Sequence, residues 1–182
     1  MEFRTYNETQ EYLEEANVRF IRLAFFDAFG IQKNIAIMPQ QLGRALNEGI
    51  SFDASVVAGF EVEIQTDLFL KPDLSTLTIV PWRPTDGRVM RVFCDVQTPD
   101  GAACANDTRY ILKQAVSHAQ QAGVRIAVGP ELEFYVFKCD EQGNRLKTPL
   151  DQGSYMDVDP LDKGDNIRRD ICFALLDMGI TP

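Results

Sequence analysis

The stretch 88–96 constrains the fold most. Met90, Val92, Cys94 and Val96 alternate there with Arg91, Phe93 and Asp95. A period of two that gathers the aliphatic residues on one face and the charged ones, with Phe93, on the other is the pattern of a half-buried strand. Such a strand needs partners, and the chain offers them. Residues 18–27 (Val-Arg-Phe-Ile-Arg-Leu-Ala-Phe-Phe-Asp) are rich in β-branched and aromatic side chains and predict a strand. Ala28-Phe29-Gly30 turns the chain, and residues 31–37 predict the return strand of a hairpin. Pro39 opens a short helix with Leu42, Ala45 and Leu46 inward, and Gly49 ends it. Residues 8–16 are polar and helix-prone, and residues 76–80 predict one more strand before the turn-rich 81–87. Residues 51–75 show no clear period and read as a long connection. Phe52, Phe60, Leu68, Phe69 and Leu70 make it too apolar to stay solvated, so something must pack on it.

These elements close a small α+β unit near residue 97. The turn Thr98-Pro99-Asp100-Gly101 marks a boundary, so two domains are expected, 1–97 and 98–182. In the second, Asp107 N-caps a helix running to Ala122, stopped by Gly123, with Ile111, Leu112, Ala115, Val116, Ala119 and Ala122 as its apolar stripe. Residues 124–137 predict a long strand, Asp140 to Asn144 a turn, and 154–158 a short strand. A last helix carries Ile167, Ile171, Leu175 and Met178 and stops at Gly179.

Composition excludes several functions. With 27 acidic and 18 basic residues the net charge is −9, which disfavours nucleic acid and anionic membrane surfaces as partners. The one histidine, His118, rules out a multi-histidine site within these residues and is expected to be half-buried and structural. Carboxylates are plentiful, so metal chemistry should use oxygen ligands and hard cations. Cys94, Cys104, Cys139 and Cys172 match no zinc or redox spacing and are expected to be reduced core thiols in a cytoplasmic protein. No run of apolar residues reaches membrane-span length, and the N-terminus lacks a signal peptide's apolar core.

Three segments carry candidate chemistry. In Gly129-Pro130-Glu131-Leu132-Glu133-Phe134-Tyr135-Val136-Phe137, a strand would put Val128, Leu132, Phe134 and Val136 on one face and Glu131, Glu133, Tyr135 and Phe137 on the other. The two carboxylates would then lie roughly 6.6–7 Å apart. That spacing suits two neighbouring cations better than one shared cation, and it is equally the pattern of an ordinary solvent-facing strand. In the loop 52–60, Asp53 is a lone acid among small and apolar residues. It either binds a cation or takes a proton, or it serves as an Asx-turn or N-cap. The acids around Tyr155-Met156-Asp157-Val158-Asp159-Pro160 do not match a calcium loop and read more simply as turn formers, and Arg168 and Arg169 as a solvated face.

The segment 129–137 resembles the Gly-Pro-Glu-x-Glu-Phe metal-binding strand of glutamine synthetases. The loop 52–60 resembles that family's Phe-Asp-Gly-Ser-Ser loop, residues 79–84 its Pro-Trp strand end, and residues 153–170 its Gly-Tyr-Phe segment and Arg-Arg-Asp helix. The four lie in the family's order, and the resemblance spans about residues 15 to 182. It implies a β-grasp-like N-terminal domain followed by the first part of a catalytic domain with a curved antiparallel sheet. It implies Mg²⁺ or Mn²⁺ held by Glu131 near the ATP phosphates and by Glu133 near glutamate. It also implies that Asp53, reaching in from a neighbouring subunit, helps bind ammonium and accept its proton, with Tyr155 lining the same pocket. The implied reaction is ATP-dependent amidation of glutamate in a ring-shaped homo-oligomer, and the nucleotide ligands cannot be assigned.

The departures from the family pattern are Ala54 for glycine, Val56 for the second serine and Met156 for phenylalanine. They leave open a larger amine as nucleophile. Family members are longer, so the chain is expected to be a fragment, inactive alone. A non-catalytic module that binds synthetase subunits is the other reading.

Overall fold

The computed structural model describes residues 5–60, 67–83 and 86–182. The chain divides into two compact units, Met1–Ile126 and Ala127–Pro182.

The first unit is built on a six-stranded mixed sheet. Its strands are β1 (Val18–Phe26), β2 (Gln32–Ile37), β3 (Ile50–Asp53), β4 (Asp67–Pro72), β5 (Thr78–Ile79) and β6 (Arg88–Gln97), in the order β2-β1-β6-β4-β3, with β5 also paired to β6. The expected β1–β2 hairpin is present and antiparallel, with Leu23 opposite Ile35. β1 and β6 run parallel, Ile21 opposite Met90. The alternating residues Met90, Val92, Cys94 and Val96 are all buried, at 0–1% exposure. Helices α1 (Tyr6–Glu15) and α2 (Leu42–Asn47) add Leu13, Leu42 and Ala45 to that core. A capping box starts α1: Thr5 accepts the Glu8 N–H, and the Glu8 carboxylate accepts the Thr5 N–H.

The connection expected over 51–75 contains two strands instead. β4 reads buried at Leu68, Leu70 and Pro72 and pairs with both β3 and β6. Long-range pairing, not local periodicity, makes it a strand. Residues 61–66 and 84–85, which fall in that connection and in the expected 81–87 turn, lie outside the described residues.

Helix α3 (Thr108–Gln121) begins where expected, and its cap does more than end a helix. Asp107, 1% exposed, accepts the Arg109 N–H at 3.0 Å and the Val96 N–H of β6 at 2.9 Å. Desolvation raises its pKa against those two hydrogen bonds. Arg109 donates to Asp95 of β6 and pairs with Asp73, while Lys113 reaches Asp95 at 2.7 Å. The first turn of α3 is thereby clamped to β6. Its stripe is not buried within this unit: Ile111, Leu112 and Val116 are exposed, and so is His118, contrary to expectation. Among the described residues that face stays open, and the polar contacts of its first turn tie the helix to β6.

The second unit has no buried residue. It contains the hairpin β7 (Phe137–Cys139) and β8 (Arg145–Pro149), whose turn is closed by Asp140 bonding Asn144, and helix α4 (Asp165–Asp177). The strand expected over 124–137 is limited to its last residue, and 154–158 is a turn rather than a strand. Strands need ladder partners: among the described residues Val136 accepts the Leu150 N–H at 2.8 Å, but no ladder extends over 124–136. Cys94 and Cys104 are core thiols, and burial pushes the Cys94 thiol up. Cys139 is exposed and Cys172 half-buried, because their elements have no core to enter.

Removing the Asp107 carboxylate leaves the Val96 N–H buried without an acceptor and α3 uncapped. Asp107→Ala should destabilise the first unit by about 2 kcal/mol. Urea unfolding checks this, and an unchanged midpoint would exclude the clamp.

Candidate functional site

Asp53 ends β3 and N-caps the 3₁₀ turn Ala54–Val56. Its Oδ1 accepts both the Ser55 N–H (3.0 Å) and the Ser55 hydroxyl (2.6 Å), and the side chain is exposed. The Ser55 hydroxyl and then its N–H hold the Asp53 carboxyl below the usual carboxylate range, so it is ionised at neutral pH. The turn-forming reading of Asp53 therefore describes its local bonds, and those bonds leave a charged, solvent-facing carboxylate.

The base of this loop is rigid. Ala54 and Phe60 are fully buried. Phe52 and Phe60 pack edge-to-face at 6.1 Å, and Phe25 of β1 lies 4.8 Å from Phe52. The Ala28 N–H donates to the Ala58 carbonyl at 3.0 Å, tying the loop to the β1–β2 turn. Gly59 makes the close approach possible. It sits at φ +89°, and a Cβ there would lie 2.3 Å from the Ala28 Cβ. The tip is open, with Val56 80% exposed.

Glu131, Glu133 and Tyr155 belong to the second unit. Both glutamates are exposed and lie on backbone outside any ladder. The apolar set Val128, Leu132 and Phe134 is exposed as well, so the expected buried face is not formed here. Among the described residues no group of three or more His, Cys, Asp or Glu side chains is placed to hold a metal. As hard oxygen donors, Glu131 and Glu133 suit Mg²⁺ or Mn²⁺, but two ligands supply only part of a coordination shell.

Tyr155 and Met156 are the central residues of a turn closed by the Asp157 N–H donating to the Ser154 carbonyl at 3.1 Å. Met156 has φ +61°, a left-handed conformation that costs a non-glycine residue roughly 1–2 kcal/mol. Tyr155 is 88% exposed. Arg168 is solvent-exposed, as expected, and it also pairs with Asp162, a bond that holds the Asp162 carboxyl below its ordinary range. Sequence reasoning also missed Ser55 as the residue that sets the state of Asp53. The signal was an Asp followed two residues on by a hydroxyl. A surface cavity of about 360 Å³, lined by Leu13, Asn17, Val18 and Met38 among others, contains none of the four candidate residues.

Comparison with known proteins places this arrangement. The family model for the glutamine synthetase beta-Grasp domain matches residues 17–99, and that for the glutamine synthetase catalytic domain matches residues 105–182. A glutamine synthetase of Clostridium saccharobutylicum is 43% identical over 92% of this chain and 38% of its own length. One from Methanosarcina mazei is 44% identical over 96% of this chain and 39% of its own. The cryo-EM structure of Plasmodium falciparum glutamine synthetase superposes with a TM-score of 0.74 at 19% identity, over all of this chain and 41% of that one.

Fold and matches together define an α+β protein whose sequence joins a β-grasp domain to a stretch of a glutamine-synthetase-type catalytic domain. The chain belongs to the glutamine synthetase family. It spans about two-fifths of the length of the relatives it matches. Among the described residues no helix is long and apolar enough to cross a membrane.

Two substitutions test how the Asp53 loop is built. Gly59→Ala adds a left-handed alanine and an overlap with Ala28, and should cost about 2–4 kcal/mol. Ala28→Gly in the same chain should recover the overlap part only, which a double-mutant cycle in urea would measure. Ser55→Ala should raise the Asp53 pKa, read by carboxyl ¹³C NMR titration. Because the folded pKa is depressed, the stabilisation from this bond is present above the unfolded carboxylate's pKa and is lost as pH falls through the folded value. An unmoved titration would show that the hydroxyl does not donate.

Proposed function

We propose that the whole protein is a glutamate–ammonia ligase and that this chain supplies its β-grasp domain and part of its catalytic domain. The observation that carries this is the ordered match of the two family models, with Glu131 and Glu133 inside the second. The boundary between the two sequence domains is placed at Thr98–Gly101, although α3 is clamped to β6 of the first compact unit.

In this reading the γ-carboxylate of glutamate attacks the γ-phosphorus of ATP, releasing ADP and forming γ-glutamyl phosphate. Ammonia, after ammonium gives up a proton, then displaces phosphate to form the amide. Glu131 and Glu133 would hold Mg²⁺ or Mn²⁺, which when bound would offset charge on the transferred phosphoryl group. Asp53, an exposed carboxylate that Ser55 holds in its ionised form, attracts ammonium in this reading and accepts the proton that ammonium releases. Tyr155 lines the ammonium pocket.

The Asp53 loop, rigid at its base and exposed at its tip, is built to enter a neighbouring subunit, so the protein is a homo-oligomer. The exposed apolar residues of the second unit, Leu132, Phe134, Ile171 and Phe173 among them, are covered in the whole protein. In this reading the protein is cytoplasmic and has no membrane or nucleic-acid partner.

Assayed with ATP and Mg²⁺ or Mn²⁺, the complete gene product should release phosphate only when glutamate and ammonium are both present. Glu131→Gln and Glu133→Gln should each lower kcat/KM by about 100-fold or more. The first should chiefly raise the KM for ATP and the second that for glutamate. Turnover with a larger amine and none with ammonium would reassign the nucleophile, and no turnover with any amine would sink the proposal.

A further inference from the structure

The segment 151–163 is a loop closed at its mouth by one side chain. Asp151 Oδ1 accepts the Gly153 N–H at 3.1 Å, and Asp151 Oδ2 accepts the Lys163 N–H at 2.7 Å, twelve residues from Asp151. The two stems touch. A Cβ on Gly153 would lie 3.3 Å from the Leu161 carbonyl oxygen and 3.4 Å from the Asp162 Cα. The outgoing stem is fixed in turn. Asp162 accepts the Gly164 N–H at 2.7 Å and pairs with Arg168 in the first turn of α4.

At the tip, Asp157 Oδ2 accepts the Ser154 N–H at 2.7 Å across the turn that carries Tyr155 and Met156. Those two side chains are 88% and 80% exposed, so packing does not hold them. The place of the phenol is set by the stems, and the stems are joined through Asp151.

We propose that Asp151 is the positioning residue for Tyr155: by bonding both ends of the loop it sets where the phenol is presented. This rests on the reading of Tyr155 as lining the ammonium pocket. Asp151 itself touches no substrate. Its effect passes through the loop and falls on the substrate nearest Tyr155.

Two readouts test it. In the complete gene product, amide hydrogen exchange should show the Gly153 and Lys163 amides losing protection in Asp151→Ala while β1 to β6 stay as in the wild type. Asp151→Asn, which keeps one carbonyl oxygen, should fall between. In the complete gene product, Asp151→Ala should raise the KM for ammonium about tenfold, the size expected for one lost charge-assisted hydrogen bond, with the KM values for glutamate and ATP within about twofold. Wild-type exchange across 151–163, or an equal rise in all three KM values, would overturn the proposal. If the wild-type product ligates no amine, the pocket reading fails, and the exchange result alone decides whether Asp151 sets the loop.

Discussion

The first unit depends on β6. It carries parallel pairing to β1 on one side and antiparallel pairing to β4 and β5 on the other, so both halves of the sheet hang from it. Its inward face, Met90, Val92, Cys94 and Val96, is the middle of the core. Its outward residue Asp95 holds Arg109 and Lys113, and the Val96 N–H is the group that Asp107 caps. Hydrophobic burial supplies the driving force on one face and charge-assisted hydrogen bonds fix α3 on the other. The candidate loop inherits this order through β1. Phe25 packs on Phe52 and Phe60, so the backbone that presents Asp53 is anchored in the same core.

The second unit is organised by a different force. With no buried residue, its turns are held by carboxylates accepting backbone N–H groups: Asp140 for Asn144, Asp151 for Gly153 and Lys163, Asp157 for Ser154, Asp162 for Gly164. An isolated two-stranded hairpin is marginal in water, and β7–β8 is no exception. The residues with proposed chemistry are thus divided between a packed frame and a polar one. Asp53 stands on the first, while Glu131, Glu133 and Tyr155 stand on the second.

That division also explains what the sequence made legible. The β1–β2 hairpin, the alternating strand β6 and the Asp107 cap are all local signals, and each lies within a residue or two of its expected place. β3 and β4 were hidden because their pairing is non-local. The alternation Leu68, Leu70, Pro72 is only three residues deep and was masked by Phe69 between them. The segment 124–136 failed in the opposite way: it has strand composition, but among the described residues no ladder extends over it beyond the Leu150–Val136 bond. At the candidate site, residue types were readable and environments were not. Asp53 was visible as a lone acid, but not the two Ser55 hydrogen bonds that fix its carboxylate on a 3₁₀ turn and lower its pKa. The aspartates around Tyr155 were visible as turn formers, but not that one of them ties together backbone twelve residues apart.

The contrast between the two tips bears on the proposed chemistry. The Asp53 tip is exposed yet stiff: Ala54 is buried beneath it, Gly59 is pressed against Ala28, and both Asp53 hydrogen bonds fall on Oδ1. Such a tip can be inserted into another surface with little ordering cost. The Tyr155 tip has no such base, and its strained Met156 persists only because the surrounding hydrogen bonds over-determine the turn. Each part of the proposal inherits its own frame: the Asp53 tip would present a charge set on a packed base, and the Tyr155 tip a phenol whose place is set by hydrogen bonds to its loop alone.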